Sequence, residues 1–344
     1  VALLPRSPGA GAFVFIVEAM VGCRYNNGTS MSQPIRVISY GLGVIGRNTA
    51  MLALQKKGLQ IVGAVDTAPP LRGQDFGTVL GLNKPLNVPV SSTLAEALSR
   101  AKADVVIHCT GSKFDAVFGQ FEEIAHARLH CVTSCEEALF PYRRYGALAK
   151  RLDDLCRQCG VAVVGTGVNP GFVMDTLPLV LSFACQKVES VRVRRVVDAS
   201  TRREALQRKV GATMSVEQFR SLVAAGKMGH VGLVESLLFV ADGLGWTLDD
   251  VSETIEPVVA DRMIQTKFLA VNPGEVAGVH QVASGKIGGR ELIALDLQMY
   301  VGAREPMDEI VMDGEPPVRL TVPGGTPGDV ATPAALVNTV ARVM

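Results

Sequence analysis

Two short stretches of this chain carry residue types whose spacing could do chemistry. Cys135-Glu136-Glu137, followed by Ala138-Leu139-Phe140-Pro141-Tyr142, sets two neighbouring carboxylates directly after a β-prone run, His130 to Ser134. A carboxylate can hold a cation, take up a proton or activate a water. On an extended segment consecutive side chains point to opposite sides, so one of the pair should face a site and the other should not. The second stretch is Gly41-Leu42-Gly43-Val44-Ile45-Gly46, the spacing of a loop that cradles a pyrophosphate. Gly41 permits the turn, Gly43 lets the backbone approach phosphate oxygens, and Gly46 lets a helix pack on the strand before it. The first N–H groups of that helix, around Val44 and Ile45, then face the phosphates.

The elements needed to position both stretches are legible around them. Ile35 to Tyr40 is a β-prone run ending on the glycine loop, and the helix after it carries Ala50, Leu52, Ala53 and Leu54 before stopping at Lys56-Lys57-Gly58. A second strand, Leu59 to Val65, closes on Asp66, 20 residues beyond Gly46. A carboxylate there suits a ribose 2′-hydroxyl and so NAD, while Arg72 is near enough to serve the 2′-phosphate of NADP. Arg47, just inside the first helix, is either a pyrophosphate contact or part of a solvated helix face.

Helix and strand signals then alternate: a helix over Thr93 to Arg100, a strand over Asp104 to Cys109, and a helix over Phe114 to Ala127. The strand His130 to Ser134, a helix over Tyr145 to Cys159 and the strand Val161 to Gly165 complete the series. Parallel strands need such crossovers, and ligands sit outside their carboxyl ends. Thr110 and Gly111 therefore share one sheet edge with the carboxylate pair. The Gly- and Pro-rich junction Gly165 to Asp175, with Asn169, Pro170 and Met174, is either a pocket wall or a domain hinge.

From about Asn169 the rhythm changes. Helices are expected over Phe172 to Cys185, Ser215 to Gly226 and Gly232 to Leu244, the second opening on the capping box Ser215-x-x-Gln218. Strands are expected over Val188 to Val197, Val276 to Ala283 and Leu292 to Val301, the last alternating apolar and polar as in a sheet with one open face. A Pro/Gly segment, Pro323 to Gly328, precedes a final helix near Asp329 to Arg342. The fold expected is α/β: a Rossmann dinucleotide-binding domain over 34–168 and an α+β substrate and dimerisation domain with a mostly antiparallel sheet over 169–327. Residues 328–344 should return as a helix to the nucleotide domain. Residues 1–33 read as an extension outside the fold, with Met31 the natural start.

Composition narrows the function. Of 344 residues, 34 are Lys or Arg and 33 Asp or Glu, a net charge of +1 that lacks the basic excess expected of a nucleic-acid binder. Aromatics at 5% are too sparse for base-stacking platforms. Seven cysteines in a chain this long do not make a disulfide framework, and a reducing cytoplasm is expected. Cys156 and Cys159 form a lone C-x-x-C, and the histidines at 108, 126, 130, 230 and 280 have no metal-ligand spacing, so no metal is expected. No run reaches the ~18 apolar residues of a spanning helix. Arg6 before the apolar run Ala10 to Gly22 suggests a signal peptide, but Glu18 inside that run counts against one.

Several motifs together resemble the 2,4-diaminopentanoate dehydrogenase and native amine dehydrogenase family. They are Thr133-Ser134-Cys135-Glu136-Glu137 with Pro141, the run Gly165 to Asp175, and Asp198-Ala199-Ser200 with Arg202-Arg203, Gln207 and Lys209-Val210-Gly211. Gly229-His230-Val231-Gly232-Leu233-Val234-Glu235-Ser236 and Val276-Ala277-Gly278-Val279 extend it, so the resemblance runs in order from Pro34 to Ala341. It implies a dihydrodipicolinate-reductase-like second domain, a homodimer, and NAD- or NADP-linked oxidative deamination of a small amine to a ketone or aldehyde and ammonia. It also implies a substrate pocket, for which we take Phe140, Pro141, Asn169, Pro170, Met174, Leu206 and His280. Leu206 stands where relatives more often carry an aromatic residue, and His280 where a longer base is common.

The chemistry agrees: an anionic Glu suits a cationic nitrogen, whereas a carbonyl reductase wants a proton donor. Dihydrodipicolinate reductase itself would show a paired-His motif and a P-S-G-T-A loop, and neither occurs. Sugar dehydrogenases with a Cys-Glu-Lys-Pro strand end carry a catalytic Lys where this chain has Glu137. That alignment favours Glu137 over Glu136 as the reacting carboxylate. A nucleotide-binding protein with a dead site is the remaining alternative, and 2,4-diaminopentanoate itself is one candidate substrate.

Overall fold

A computed structural model describes residues 33–344. The N-terminal extension, its apolar run and Met31 lie outside the described residues. The chain forms two compact units: one runs to Phe172 and resumes over Pro327–Met344, the other is Val173–Thr326.

The first unit is built on a parallel sheet of β1 (Ile35–Tyr40), β2 (Leu59–Val65), β3 (Val90–Ser91), β4 (Val105–His108), β5 (His130–Thr133) and β6 (Val163–Gly165). Their order is β3-β2-β1-β4-β5-β6, every neighbouring pair parallel. Because side chains alternate along each strand, Val37, Val105, Val132 and Val164 pack on one face, with Ala50 and Ala53 of helix α1 (Val44–Gln55). Ile38, Val106 and Cys131 pack on the other. Between β2 and β4 lie the one-turn helix α2 (Phe76–Val79) and helix α3 (Leu94–Arg100). The second face is covered by α4 (Phe114–His126), through Phe114, Val117, Phe118 and Phe121, and by Leu152 and Cys156 of α5 (Gly146–Cys159). Apolar side chains on both strand faces are what a sheet covered on both sides requires.

Strand order reverses between β1 and β4, so the crevice outside their carboxyl ends is the topological switch point where open α/β sheets bind ligands. The segment from β2 to β3 is organised by Asp75, whose carboxylate accepts N–H bonds from Gly77, Thr78, Leu86 and Val88. No local pattern announces this staple, because its partners lie up to 13 residues away.

The second unit holds α6 (Thr176–Ser182), β7 (Lys187–Asp198), α7 (Glu204–Lys209), α8 (Val216–Ala224) and α9 (Leu233–Gly243). After them come β8 (Asp250–Val259), the short pair β9 (Ile264–Gln265) and β10 (Ala270–Val271), β11 (Val276–Ile287), β12 (Arg290–Tyr300), β13 (Met307–Glu315) and β14 (Val318–Pro323). The main sheet has the order β14-β13-β7-β12-β11-β8, antiparallel throughout except for the parallel pair β7–β12. Ile293, Leu295 and Leu297 are buried on one face of β12. That face is the one helix α9 covers, since a Cβ on Gly285 of β11, in register with Ile293, would meet Leu237. His280, Val282, Asp296 and Gln298 alternate onto the opposite face and stay partly exposed.

One expected element changes here, and strands β8, β13 and β14 are additional to those expected. The helix expected from Phe172 begins only at Thr176, where Asp175 caps it through the Thr176 N–H, because Asn169 to Asp175 is irregular. Strand β8 reads as mostly polar because it is an edge strand, and β13 and β14 interrupt their apolar pattern with charges. The capping box at Ser215 and Gln218 forms.

On β7, Arg195 points to the covered side and forms an ion pair with Asp308 of β13 at 2.7 Å, the side chains being 4% and 2% exposed. Arg195 also donates to the Thr326 carbonyl, and Asp308 accepts from the Thr326 N–H, so the pair fastens the chain where this unit ends. Burial lowers the Arg195 pKa against the opposing pull of Asp308. Removing one partner of such a pair typically costs ~3–5 kcal/mol, because the other charge stays buried and uncompensated. Asp308→Ala should lower the urea midpoint of this unit accordingly, read by fluorescence of the single tryptophan, Trp246, which lies within it.

Final helix α10 (Gly328–Val340) belongs to the first unit, where Leu336, Val337 and Val340 join the cluster of Ala50 and Ala53.

Candidate active site

The three glycines of the loop after β1 are not equivalent. Gly41 has φ +90°, and a Cβ on it would lie 2.5 Å from the Cys109 carbonyl oxygen. A Cβ on Gly46 would lie 1.9 Å from the Gly41 carbonyl oxygen. Both are glycine because the protein's own backbone leaves no room. Gly43 has an ordinary φ of −65°, and a Cβ there would meet nothing within 4 Å. Folding does not require a glycine at this position; a ligand approaching the backbone does. Gly43 is also the N-cap of α1 and supplies no side-chain cap, which leaves the first helical N–H groups, at Val44 and Ile45, for an anion.

Arg47 braces the loop from inside, its Nε donating to the Leu42 carbonyl at 2.7 Å. Asp66, at the end of β2, accepts from the Leu42 N–H at 2.7 Å and the Ala68 N–H at 2.8 Å, one bond on each oxygen. A carboxylate has about four acceptor positions, so two remain for ribose hydroxyls. Arg72 follows the 3₁₀ turn Pro69–Leu71 and is exposed.

At the end of β4, Thr110 is exposed and Gly111 half-buried. Beneath them the imidazole of His108 is fully buried between Thr133 Oγ1 at 2.8 Å from Nδ1 and Gln120 Oε1 at 2.6 Å from Nε2. Burial lowers its pKa to about 4. His108, Thr133 and Gln120 were not expected to matter; the available signal was a polar residue closing each of two otherwise apolar strands.

The two glutamates part company. Glu137 is 1% exposed, and its Oε2 accepts from the Phe114 N–H and the Tyr145 hydroxyl, each at 2.8 Å. Arg144 approaches Oε1 at 3.7 Å. A carboxylate on the first N–H of α4 also offsets the positive helix end. Burial and then Glu137 itself push the Tyr145 phenol above its usual range, so its proton stays on the hydrogen bond. Glu136 opens the 3₁₀ turn Glu136–Leu139 and is half-buried. Its charge reaches the thiol of Cys109, which burial first pushes up to about 11, and Cys109 is the residue against which Gly41 and Gly46 pack. The structure thus gives the sequence-favoured Glu137 a buried setting, with two hydrogen bonds on one oxygen, and leaves Glu136 the more accessible of the two.

Of the expected pocket residues, Phe140, Pro141, Asn169 and Pro170 are buried in the first unit. Asn169 is 9% exposed, and neither its Oδ1 nor its Nδ2 has a hydrogen-bond partner among the described residues. An orphaned buried amide is costly, and a ligand amide or hydroxyl would relieve it. Met174 is buried and Leu206 half-buried on α7, both in the second unit. His280 sits on the face of the second sheet turned away from α9, with Nε2 3.0 Å from Asp296 Oδ1 and Glu256 and Gln298 opposite it in register. Among the described residues no group of three or more His, Cys, Asp or Glu could hold a metal, and no helix is long and apolar enough to cross a membrane.

A phosphate-cradling loop at the switch point of a doubly wound sheet, with a carboxylate beside it, defines a dinucleotide-binding α/β protein joined to an α+β unit. Comparison with known proteins narrows this class. Residues 172–344 match the family model of the 2,4-diaminopentanoate dehydrogenase C-terminal domain, and residues 35–134 that of the dihydrodipicolinate reductase N-terminus. The chain is 29% identical to 2,4-diaminopentanoate dehydrogenase of Acetoanaerobium sticklandii over 91% of its own length and 90% of the relative's. It is 21% identical to an amine dehydrogenase of Streptomyces virginiae, covering 86% of each chain. The solved amine dehydrogenase of Mycobacterium smegmatis superposes with a TM-score of 0.78 at 24% identity, covering 89% of this chain and 91% of that one. The chain belongs to the 2,4-diaminopentanoate dehydrogenase family, and it is a dehydrogenase.

The contrast among the glycines is testable. Gly43→Ala should lower stability by no more than about 1 kcal/mol, the cost of a poorer N-cap. It should nonetheless weaken binding of a reduced nicotinamide dinucleotide at least about tenfold, since the lost contact is with phosphate. Gly46→Ala should destabilise the unit itself by roughly 1–3 kcal/mol or more through overpacking. Thermal melts paired with fluorescence titrations separate the two.

Proposed function

We propose that this protein is an NAD- or NADP-dependent amine dehydrogenase, which reversibly deaminates a small primary amine to a ketone or aldehyde and ammonia. The observation that carries the reading is Glu136: a half-buried carboxylate in the turn just after β5, at the carboxyl edge of the parallel sheet. The names of the relatives, an amine dehydrogenase and a 2,4-diaminopentanoate dehydrogenase, support it. Gly43, the uncapped start of α1 and Asp66 fit a dinucleotide, and the unsatisfied amide of Asn169 fits a carboxamide or hydroxyl near its reactive end.

The bound cofactor supplies the hydride acceptor at the carbon that bears the amine. Glu136 holds the substrate nitrogen while positive charge develops on it, which is electrostatic stabilisation by a fixed opposite charge. In the hydrolytic half, Glu136 takes a proton from the water that adds to the C=N carbon and returns it to the nitrogen; as the C–N bond breaks and ammonia leaves, the carbinol O–H gives its proton to the same carboxylate and the C=O forms. Glu137, tied to Phe114 and Tyr145, fixes the turn that carries Glu136. Asp66 favours NAD and Arg72 accommodates NADP. The setting is a reducing cytoplasm, in keeping with free thiols at Cys109, Cys131, Cys135, Cys156, Cys159 and Cys185.

Short amines and 2,4-diaminopentanoate, assayed with each cofactor at alkaline pH against alcohols as controls, test the reaction. Glu136→Gln should lower amine turnover by roughly 10²–10⁴-fold with cofactor affinity nearly unchanged. Glu137→Gln should chiefly lower stability. Near-full turnover in Glu136→Gln beside a dead Glu137→Gln would reverse the two roles, and oxidation of alcohols but no amine would sink the reading.

The protein acts as a homodimer through the second unit. Its sheet has a face, carrying Arg194, His280, Asp296 and Gln298, that α9 does not cover, and two-fold dimers are the commonest assemblies. Light scattering at micromolar concentration should give twice the 36.5 kDa chain mass, and a monomer would refute it.

A further inference from the structure

Three buried or half-buried polar side chains in the first unit are absorbed neither by cofactor binding nor by the reacting carboxylate. They are His108 on β4, Thr133 on β5 and Gln120 on α4. Polar side chains at the end of an otherwise apolar sheet cost free energy unless satisfied. Here they satisfy one another in a single chain of hydrogen bonds.

The direction of each bond follows from its ends. The Cys135 N–H can only donate, and it gives to Thr133 Oγ1 at 3.0 Å. The hydroxyl proton of Thr133 is then free for His108 Nδ1 at 2.8 Å. With Nδ1 accepting, a neutral imidazole carries its proton on Nε2, which faces Gln120 Oε1 at 2.6 Å. The Thr110 hydroxyl gives to the same Gln120 oxygen at 2.6 Å and lies 2.8 Å from Nε2. Every donor finds an acceptor only if the ring is neutral and of this one tautomer. Burial holds it neutral at pH 7, with a pKa of about 4. The rings of Tyr40, edge-on at 5.6 Å, and Phe121, at 5.0 Å, fix the imidazole from either side.

The two ends of the chain are the functional point. One is the amide of Cys135, the residue immediately before Glu136. The other is Thr110, at the exposed end of β4 beside the glycine loop. We propose that His108, through Thr133 and Gln120, is a positioning residue that locks the β5 end carrying Glu136 to the β4 end carrying Thr110. The β4–β5 register ends at His108 and Thr133, and beyond it two backbone bonds cross, Ser134 N–H to the His108 carbonyl at 3.0 Å and Glu137 N–H to the Ser112 carbonyl at 3.2 Å. Neither reaches Thr110 or the Cys135 amide, and the imidazole adds the side-chain link between those two. A misplacement of about 1 Å at a reacting group can cost on the order of 10²-fold in rate. The proposal rests on the reading of Glu136 as the reacting carboxylate.

Thr133→Val removes the central hydroxyl and keeps the shape, and Thr133→Ser keeps the hydroxyl. We expect Thr133→Val to lower kcat for amine oxidation by roughly ten- to a hundredfold with the KM for cofactor changed less than about threefold. Thr133→Ser should restore most of that kcat, which a loss of packing would not explain. Gln120→Leu, at a half-buried helix position where failure to fold is the lesser risk, should give the same split between kcat and KM. Nitrogen chemical shifts of the His108 ring in the wild-type protein should show the Nε2–H tautomer at pH 7, a readout independent of any turnover. An Nδ1–H or charged ring, or kcat within twofold of wild type in both Thr133→Val and Gln120→Leu, would overturn the proposal. Failure of the Glu136 reading is seen separately, as undiminished turnover in Glu136→Gln.

Discussion

The first unit depends on how closely two backbones approach at the reversal of strand order. β1 and β4 are neighbours, and the loop leaving β1 must pass the carbonyl of Cys109 with no space for a side chain on Gly41. The same loop must then turn so tightly into α1 that Gly46 nearly touches the Gly41 carbonyl. Once those contacts are met, helix α1 starts where its free N–H groups overlook the carboxyl ends of the strands. The crevice, the anion site and the orientation of Asp66 toward Leu42 all follow from that geometry.

Carboxylates then do the local fastening. Asp66 ties the glycine loop to β2, Asp75 gathers four N–H groups of the β2–β3 connection, and Asp175 caps α6 while accepting from the Ser236 hydroxyl. Glu137 does the same at the start of α4. Charged groups accepting N–H bonds are among the stronger hydrogen bonds a fold can make, and each one here closes a connection that has no regular pairing of its own. This pattern is why a buried glutamate beside a crevice need not be the reacting group. Glu137 is buried and holds Phe114 and Tyr145 through one oxygen, while Glu136 beside it stays half-buried.

In the second unit alternation along the strands separates two environments. Ile293, Leu295 and Leu297 pack beneath helices, whereas Asp296 and Gln298, one residue along, share the other face with His280. His280, one of the expected pocket residues, lies on that open face beside Asp296. The ion pair of Arg195 and Asp308 lies on the covered side, tolerated because the Thr326 backbone completes its hydrogen bonds.

The parts that local rules govern were legible along the chain. The glycine loop, Asp66 at its fixed distance, the βαβ rhythm and the Ser215 capping box each depend on residues within one or two elements, and β1 and β2 begin and end where their apolar runs do. Membership of the family was legible too, because its motifs run in order along the chain. Only the tertiary structure decided which of Glu136 and Glu137 is accessible, since that depends on Phe114 and Tyr145 arriving from other elements. It likewise decided the side of the sheet on which His280 lies, and the joining of His108 to Thr133 and Gln120. Those are side-chain contacts between segments 8 to 25 residues apart, and no spacing rule encodes them. Short-range geometry writes itself into sequence as pattern; the partner of a buried polar atom is chosen by packing.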